Sequence, residues 1–319
     1  MGKARILIVI LLSVTSATFA QKTTNKKQPI PEGTPILWRE LAGVESYDLL
    51  NGPGGESMKP DLSRVTFIKD QAAGGYSVNY RVRDGSGNIW VAKFSSEAQA
   101  ETSAVRLVWA AGYMTEINYL VPCVKIEGIP QSGRKLKRCE GDGFANVKFE
   151  ARPKHVKRLE NWKWNDNVFK GTKELQGLIV LMSLMDNWDL KDDNNRIILV
   201  PGADGRLERQ YIISDLGATF GKTGGFISRS RNKPKDFAKA KFVEGVDGNR
   251  VRFAYSGKNS GLFSNITIEE ARRVGNLLSR LSDKQIGDAF RAANYAPEEV
   301  ELLTSAVRGR INQLVNLRE

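Results

Sequence analysis

Four polar residues in the second half of the chain have the types, order and spacing of a phosphoryl-transfer site. Asp189, Lys191 and Asn194 lie in the acidic segment 186–195, and Asp215 follows about twenty residues later. In such sites one Asp orients an attacking hydroxyl, while an Asn five residues further on and a later Asp hold magnesium on a nucleotide. Because a gap of this length between Asp and Asn is common by chance, the surrounding elements must support the assignment.

The predicted elements around these four residues would hold them in place. An apolar helix is predicted over 173–185 and leads directly into the acidic segment. Two short strands, 196–200 and 210–214, form a hairpin that ends at Asp215, and Gly217 permits a sharp turn after it. This arrangement brings Asn194 and Asp215 to one metal ion, and it leaves Lys191 to neutralise charge on the transferred phosphoryl group.

The first half of the chain offers the complementary nucleotide contacts. Lys93 lies on a predicted strand, and Glu101 begins the exposed face of the helix predicted over 97–111. A strand lysine paired with a helix glutamate is a device that holds nucleotide phosphates. Glu97 is the rival partner, although its place at the helix start also suits a capping role. Residues for backbone contacts to phosphates are predicted in the turn before the second strand: Gly74, Gly75 and Ser77.

The order of elements predicts an α+β protein with two lobes. Strands, one helix and two further strands occupy residues 61–153, in the order β-β-β-α-β-β, and predict a small β-rich nucleotide-binding lobe. Residues 154–319 are mainly helical and would form the catalytic lobe. Trp162 and Trp164 are expected in the core, with stacking on sugars or bases as the alternative.

These motifs together resemble the protein-kinase-like superfold. The sequence is similar to its atypical branch: HipA-type kinases, phosphatidylinositol 3/4-kinases and secreted Fam20-type kinases. The resemblance covers roughly residues 64–225, where Asp189 takes the catalytic position, Trp188 replaces the usual Arg before it, and 215–217 stands at the metal-binding motif. It implies ATP with magnesium or manganese as cofactors and Glu150 in the hinge beneath adenine. The Ala-Pro-Glu segment that is typical of protein kinases does not follow Asp215 within the region of resemblance, which ends near residue 225.

The amino-terminal residues have the pattern of an export signal. Lys3 and Arg5 precede an apolar run of about nine residues, and small residues then lead to a predicted cleavage after Ala20. An uncleaved anchor is the alternative. We therefore expect residues 1–20 to be a signal peptide, 21–60 to be an N-terminal extension, and the mature protein to be secreted or periplasmic, without stable membrane insertion.

Cysteine, histidine and charge limit the classes of function. In an exported protein, Cys123 and Cys139 are candidates for a disulfide, with two free buried thiols as the alternative. The single histidine, His155, argues against a multi-histidine metal site and a Ser-His-Asp triad. A net charge of +12 favours anionic partners, unless it reflects only a solvated basic surface.

The sequence thus predicts an exported kinase-like phosphotransferase that moves a phosphoryl group from ATP to an unknown hydroxyl acceptor. Its expected partners are the nucleotide and that acceptor, and no nucleic acid is expected. Two alternatives remain open at this point. One is a catalytically inactive kinase-like module that binds a nucleotide or protein. The other is a basic secreted protein that binds an anionic polymer.

Overall fold

The computed structural model describes residues 32–40, 42–71, 77–130, 136–225 and 227–318. The predicted signal peptide with its cleavage site, as well as Gly74 and Gly75, lies outside the described residues. The strands are β1 (Thr34–Ile36), β2 (Thr66–Asp70), β3 (Val78–Arg83), β4 (Ile89–Phe94), β5 (Asn118–Val124), β6 (Phe144–Ala151), β7 (Lys157–Arg158), β8 (Asn195–Pro201), β9 (Leu207–Ile213), β10 (Val243–Asp247) and β11 (Arg250–Phe253). The helices are α1 (Ala98–Ala110), α2 (Lys173–Leu184), α3 (Pro234–Lys239), α4 (Ile268–Ser279), α5 (Asp283–Arg291) and α6 (Pro297–Val315).

The first lobe is an antiparallel sheet of five strands in the order β2-β3-β4-β6-β5, with α1 packed against one face. The turn between β3 and β4 is fixed by the buried carboxylate of Asp84, which accepts hydrogen bonds from the backbone N–H of Asn88 at 2.7 Å and the indole of Trp90 at 2.8 Å. The predicted order β-β-β-α-β-β is therefore observed. Strand β5 ends at Val124, and Glu127 then forms an isolated parallel bridge with Thr66 of β2.

The two faces of this sheet differ in chemistry because side chains alternate along each strand. One face carries an aromatic and aliphatic core, including Tyr80, Trp90 and Phe149. The opposite face carries Lys93 on β4 and its register partner Lys148 on β6. Both lysines are buried, so this face must supply them with carboxylates.

The second lobe combines helices with a smaller sheet. Its strands follow the order β1-β9-β8-β7, and α2, α4 and α6 pack together beside them around a large apolar core. Capping boxes start α4 at Thr267 and α5 at Ser282, which explains where these helices begin. Trp162 and Trp164 are buried in this core with ring centroids 4.9 Å apart, so their predicted packing role is observed. The two-lobe α+β architecture is thereby confirmed.

Strand β1 was not expected from the sequence. Thr34–Ile36 lies in the predicted N-terminal extension, but it pairs in parallel with β9, with Thr34 opposite Glu208. Parallel partners need not be close in sequence, so local patterns give no sign of this pairing. The N-terminal extension is therefore tied to the hairpin that ends at Asp215.

Cys123 and Cys139 form a disulfide that closes the loop between β5 and β6. Of the two alternatives for this pair, the disulfide is thus the one observed. Within the described ranges, no helix is both long and apolar enough to cross a lipid bilayer.

A buried ion pair anchors the acidic segment to the last helix. Asp186 has a left-handed backbone conformation and accepts a 2.8 Å hydrogen bond from Arg310 of α6. Arg310 also donates to the carbonyl of Leu184 at 2.9 Å. Burial raises the pKa of Asp186 to about 6, although the Arg310 guanidinium lowers it. The ion pair of Asp186 with Arg310 therefore anchors the segment that carries Asp189 to α6.

Replacing Arg310→Met should destabilise the protein strongly. Removing one partner of a buried pair leaves an uncompensated charge and typically costs about 3–5 kcal/mol. Arg280→Met is the matched control, because Arg280 pairs with Glu45 at the surface and its loss should have little effect. Chemical unfolding of the three proteins measures both effects, and equal stability of the two variants would contradict this role of Arg310.

Candidate active site

Lys93 lies at the centre of the cleft between the lobes. Its ammonium group donates to Glu101 at 2.8 Å and lies 3.5 Å from Glu97 and 3.4 Å from Asp215. Burial alone lowers the pKa of Lys93, but the carboxylates of Glu101 and Asp215 outweigh it and raise the pKa above its ordinary value. Lys93 therefore stays protonated, which is the state that an anion-binding lysine requires.

Glu101 of α1 serves two lysines at once. One carboxylate oxygen accepts from Lys93, and the other accepts from Lys148, which also donates to Glu150 at 2.9 Å. Burial lowers the pKa of Lys148, but Glu101 and Glu150 raise it above the ordinary value. Glu101 is thus fixed by two cations and cannot rotate away from Lys93 without leaving a buried charge unpaired.

Asp189 sits in a loop that is closed by short-range hydrogen bonds. The side-chain amide of Asn194 donates to the backbone carbonyl of Asp189 at 2.6 Å, and Lys191 donates to its carboxylate at 2.9 Å. The backbone N–H of Asp189 donates to the side chain of Asn187 at 3.3 Å. These contacts explain the five-residue spacing, because Asn194 must reach back to Asp189.

Asp215 follows β9 and lies next to Asn194 through the backbone. The carbonyl of Asn194 accepts from the N–H groups of Ser214 at 2.7 Å and Asp215 at 3.2 Å. Burial raises the pKa of Asp215, but Lys93 and the N–H of Gly217 outweigh it and hold the pKa below the ordinary value. A Cβ on Gly217 would lie 2.8 Å from Glu97, so only glycine fits between this turn and α1.

The donor set fits a magnesium or manganese ion that is shared with a nucleotide. The described residues contain no group of three or more His, Cys, Asp or Glu side chains able to hold a metal alone. Asn194 and Asp215 nevertheless offer amide and carboxylate oxygens. Magnesium is commonly held by one or two protein oxygens together with substrate phosphates and water. The two side chains therefore suit a metal that arrives with phosphate.

The structure brings most of the predicted residues to one cavity of about 360 Å³. Its predicted lining residues are Ser77, Lys93, Asp189, Lys191, Asn194 and Asp215. Glu101 lies directly behind Lys93. Glu150 does not line this cavity: it is buried at the end of β6 between Lys148 and Arg152. Its predicted place beneath adenine stays a prediction.

Glu97 was weighed as the rival partner of Lys93 and as a helix cap. It makes no capping hydrogen bond, lies 3.5 Å from Lys93 and pairs with Arg231. Other residues of the site were not predicted from the sequence. Lys148 was missed because its partner Glu101 is distant in sequence. Arg229 and Lys258 also line the cavity. The excess of basic residues in segment 229–241 was the one available signal for Arg229 and Arg231.

A second cluster of charges joins β6 to the residue before Asp215. Glu116 is buried beside Glu150, and it accepts hydrogen bonds from Arg158 and from Ser214 at 2.8 Å. Arg152 pairs with both glutamates. Burial and the Glu150 carboxylate raise the pKa of Glu116 to about 7, from an ordinary value of 4.5. This pair therefore retains one proton in weakly acidic solution.

Because Glu116 holds a proton in the folded state, we predict that the free energy of unfolding falls as the pH rises. Because the folded pKa is raised, the folded state binds more protons than the unfolded state between about 4.5 and about 7, and stability is lost across that window. Between these pH values, the free energy of unfolding of Glu116→Gln should therefore fall by up to about 3 kcal/mol less than that of the wild type. The measurement compares urea unfolding at about pH 5 and about pH 8.

The control for this experiment is Glu127→Gln, which alters an exposed glutamate paired with Arg64. It should keep the pH dependence of the wild type. A Glu116→Gln variant with that same pH dependence would show that the pair does not hold a proton.

No protein-family model and no curated protein matches this sequence. Among solved structures, the chain is similar to the Helicobacter pylori proinflammatory kinase CtkA, at 11% identity and a TM-score of 0.46, over 78% of this chain and 95% of that one. It is also similar to the Golgi casein kinase with Mn and ADP bound, at 11% identity and a TM-score of 0.39, over 81% and 73% of the two chains. A third similar structure is the Rio2 kinase–ADP/Mg²⁺–phosphoaspartate complex from Chaetomium thermophilum, at 11% identity and a TM-score of 0.32. The match covers 77% of this chain and 72% of that one. All three neighbours are kinases by name, and none of them assigns a role to a residue of this chain.

Proposed function

We propose that this protein is an exported kinase-like enzyme that transfers the γ-phosphoryl group of ATP, with magnesium or manganese, to a hydroxyl acceptor. The observation that carries the proposal is the meeting of Lys93, Glu101 and Asp215 at the cavity that Asp189 and Asn194 also line. These five side chains come from β4, α1 and two loops of the other lobe. A fold that only binds a protein partner has no chemical need for all of them together.

Each residue has a distinct part in the proposed reaction. Lys93, oriented by Glu101, would hold the nucleotide phosphates, and Asn194 and Asp215 would hold a magnesium or manganese ion that neutralises the charge of those phosphates. The acceptor oxygen forms a bond to the γ-phosphorus as the bond from that phosphorus to the bridging oxygen breaks, and ADP leaves. The hydroxyl proton passes to the carboxylate of Asp189.

The proposal of export has two supports. The first is the amino-terminal pattern of basic start, apolar run and small residues, with cleavage after Ala20. The second is the Cys123–Cys139 disulfide, since such bonds persist in oxidising compartments. Both support the proposal of a secreted or periplasmic location.

Nucleotide binding should raise the unfolding temperature only when the metal is present. A ligand that binds the native state at about 100 times its Kd stabilises it by about 2.7 kcal/mol. Asp215→Asn should abolish the metal-dependent part of the shift, whereas Asp204→Asn, in the exposed β8–β9 turn, should retain it. Thermal unfolding with ATP plus magnesium or manganese provides the measurement. If no nucleotide changes the unfolding temperature of the wild type, the result contradicts this proposal and favours a protein that binds an anionic polymer.

Asp189→Asn should separate binding from chemistry. The amide keeps the shape of the side chain but accepts no proton, so turnover should fall by about 100-fold or more while nucleotide affinity stays the same. With the acceptor unknown, release of ADP from ATP in water provides the turnover. Equal turnover of the wild type and Asp189→Asn would contradict the proposed role of Asp189 as the proton acceptor.

A further inference from the structure

Helix α1 carries Glu101 near its N-terminal end, and contacts with the second lobe fasten that end. The side-chain amide of Gln99 donates to the backbone carbonyl of Asn294 at 2.9 Å, in the turn between α5 and α6. Asn232, which precedes α3, donates to the carbonyl of Ser96 at 2.7 Å. The start of α1 is therefore held by hydrogen bonds from two segments of the second lobe, close to the carboxylate that faces the cleft.

The other end of α1 contacts residues 42–60, which we call the N-terminal strap. Tyr47 of the strap stacks on Trp109 of α1, with ring centroids 4.5 Å apart and an angle of 22° between the ring planes. Gly52 lies against the guanidinium group of Arg106, since a Cβ on Gly52 would lie 3.2 Å from the Cζ atom. Arg106 and Trp109 are three residues apart and share one face of the helix. The strap therefore covers that face along the last turns of α1.

The strap is itself held by both lobes. Val44 is fully buried in the large apolar core. Gln285 of α5 donates to the backbone carbonyls of Val44 at 3.0 Å and Tyr47 at 3.1 Å. In the first lobe, the hydroxyl of Tyr119 on β5 donates to the carbonyl of Gly55 at 2.7 Å. Because its backbone is bonded to α5 and to β5, the strap presents a fixed surface to α1.

Arg106 is buried although no carboxylate pairs with it in the described part of the chain. Its guanidinium group donates to the carbonyl of Thr102 at 2.9 Å and to the side-chain and backbone oxygens of Asn118 at 3.3 and 3.4 Å. Burial lowers the pKa of Arg106 to about 10. Well-packed apolar side chains often stabilise such a site equally well or better. The directed bonds of Arg106 to Asn118, the first residue of β5, therefore contribute geometry more than stability.

We infer that the strap positions Glu101 for the reaction, with Tyr47 and Arg106 as positioning residues. The inference rests on the proposed function, because Glu101 acts by orienting Lys93 towards the nucleotide. Glu101 and Arg106 are separated by about 7.5 Å along one rigid helix, so a displacement at the strap also moves the carboxylate. A misplacement of about 1 Å at such a site can reduce a rate about 100-fold.

The rival explanation is that the strap only adds stability to the core. The two ion pairs of Glu101 support it in part, since Lys93 and Lys148 already hold the carboxylate. The two explanations differ in the effect of a loosened strap on the reaction. A strap that only stabilises leaves the turnover of the folded protein unchanged, whereas a strap that positions Glu101 lowers kcat while the protein stays folded.

The test uses the full chain and replaces Tyr47, whose side chain is only half-buried. Tyr47→Ala removes the stack on Trp109, and Tyr47→Phe keeps it. Release of ADP from ATP with magnesium measures turnover. We expect Tyr47→Ala to lower kcat about tenfold or more, and kcat/KM to fall with it, because the Lys93–Glu101 geometry matters most in the transition state. Tyr47→Phe should restore the rate of the wild type.

Phe169→Ala is the matched control for lost stability. Phe169 is also half-buried, and its ring packs on that of Tyr211 in the second lobe with centroids 5.1 Å apart. Its replacement therefore removes a comparable aromatic contact away from α1. Urea unfolding should show a similar loss of stability in Phe169→Ala and Tyr47→Ala, but Phe169→Ala should keep the kcat of the wild type.

Two glycines of the strap test the contact with Arg106. Gly52 and Gly43 have φ values of +71° and +69°, so alanine imposes the same kind of backbone strain at each position. Gly52→Ala places its Cβ against Arg106, whereas the Cβ of Gly43→Ala would lie 3.5 Å from the hydroxyl of Ser46, an ordinary contact. Gly52→Ala should therefore lower kcat, and Gly43→Ala should leave it unchanged.

Hydrogen exchange of the α1 amides gives a second readout that does not depend on turnover. These amides should exchange about two- to tenfold faster in Tyr47→Ala than in the wild type, and at the rate of the wild type in Phe169→Ala. An unchanged kcat in Tyr47→Ala, or an equal fall in Phe169→Ala, overturns the positioning role and leaves the proposed function standing. Failure of the wild type to release ADP overturns the proposed function itself, and the exchange rates then show separately whether the strap fixes α1.

Discussion

The geometry of the cleft depends on one constraint: every charge that is buried there must have a partner. Asp215, Lys93, Glu101, Lys148 and Glu150 alternate in sign and follow one another in contact. Isolated ions in a protein interior cost several kcal/mol each, so the members of such a series hold each other in place. Because Glu101 gives one oxygen to each lysine, the position of α1 is tied to two strands of the first sheet. The series ends at Asp215, and it therefore links the first lobe to the side of the cavity that the second lobe supplies.

The wall of the cavity that the second lobe supplies is likewise held in place by a buried charge that has its partner. Arg310 of α6 satisfies Asp186 and the carbonyl that ends α2, so the loop with Asp189 is anchored to the core of the second lobe. Contacts between the two walls include the pair of Lys93 with Asp215 and that of Glu97 with Arg231. The relative placement of Lys93 and Asp189 is thus set by ion pairs across the cleft, while each is held rigidly within its own lobe.

The sequence predicted those parts of the site that depend on local geometry. Lys93 and Glu101 are joined by a short turn between strand and helix, so the spacing of these elements indicated their pairing. The sequence placed Asp189 and Asn194 in one site, but the hydrogen bond from Asn194 back to Asp189 within the loop was not predicted. Lys148 was not predicted, because its bond to Glu101 spans 47 residues and arises only when β6 pairs with β4. The parallel pairing of β1 with β9 escaped prediction for the same reason, since no local pattern encodes a partner so distant in the chain.

Trp188 ties residues 229–231 to the loop that carries Asp189. The guanidinium groups of Arg229 and Arg231 lie 4.2 and 4.7 Å from the centroid of its ring. The indole N–H also holds the backbone of Ser230 between the two arginines. Two cation–π contacts and one hydrogen bond thus hold residues 229–231 beside Trp188, the residue that precedes Asp189.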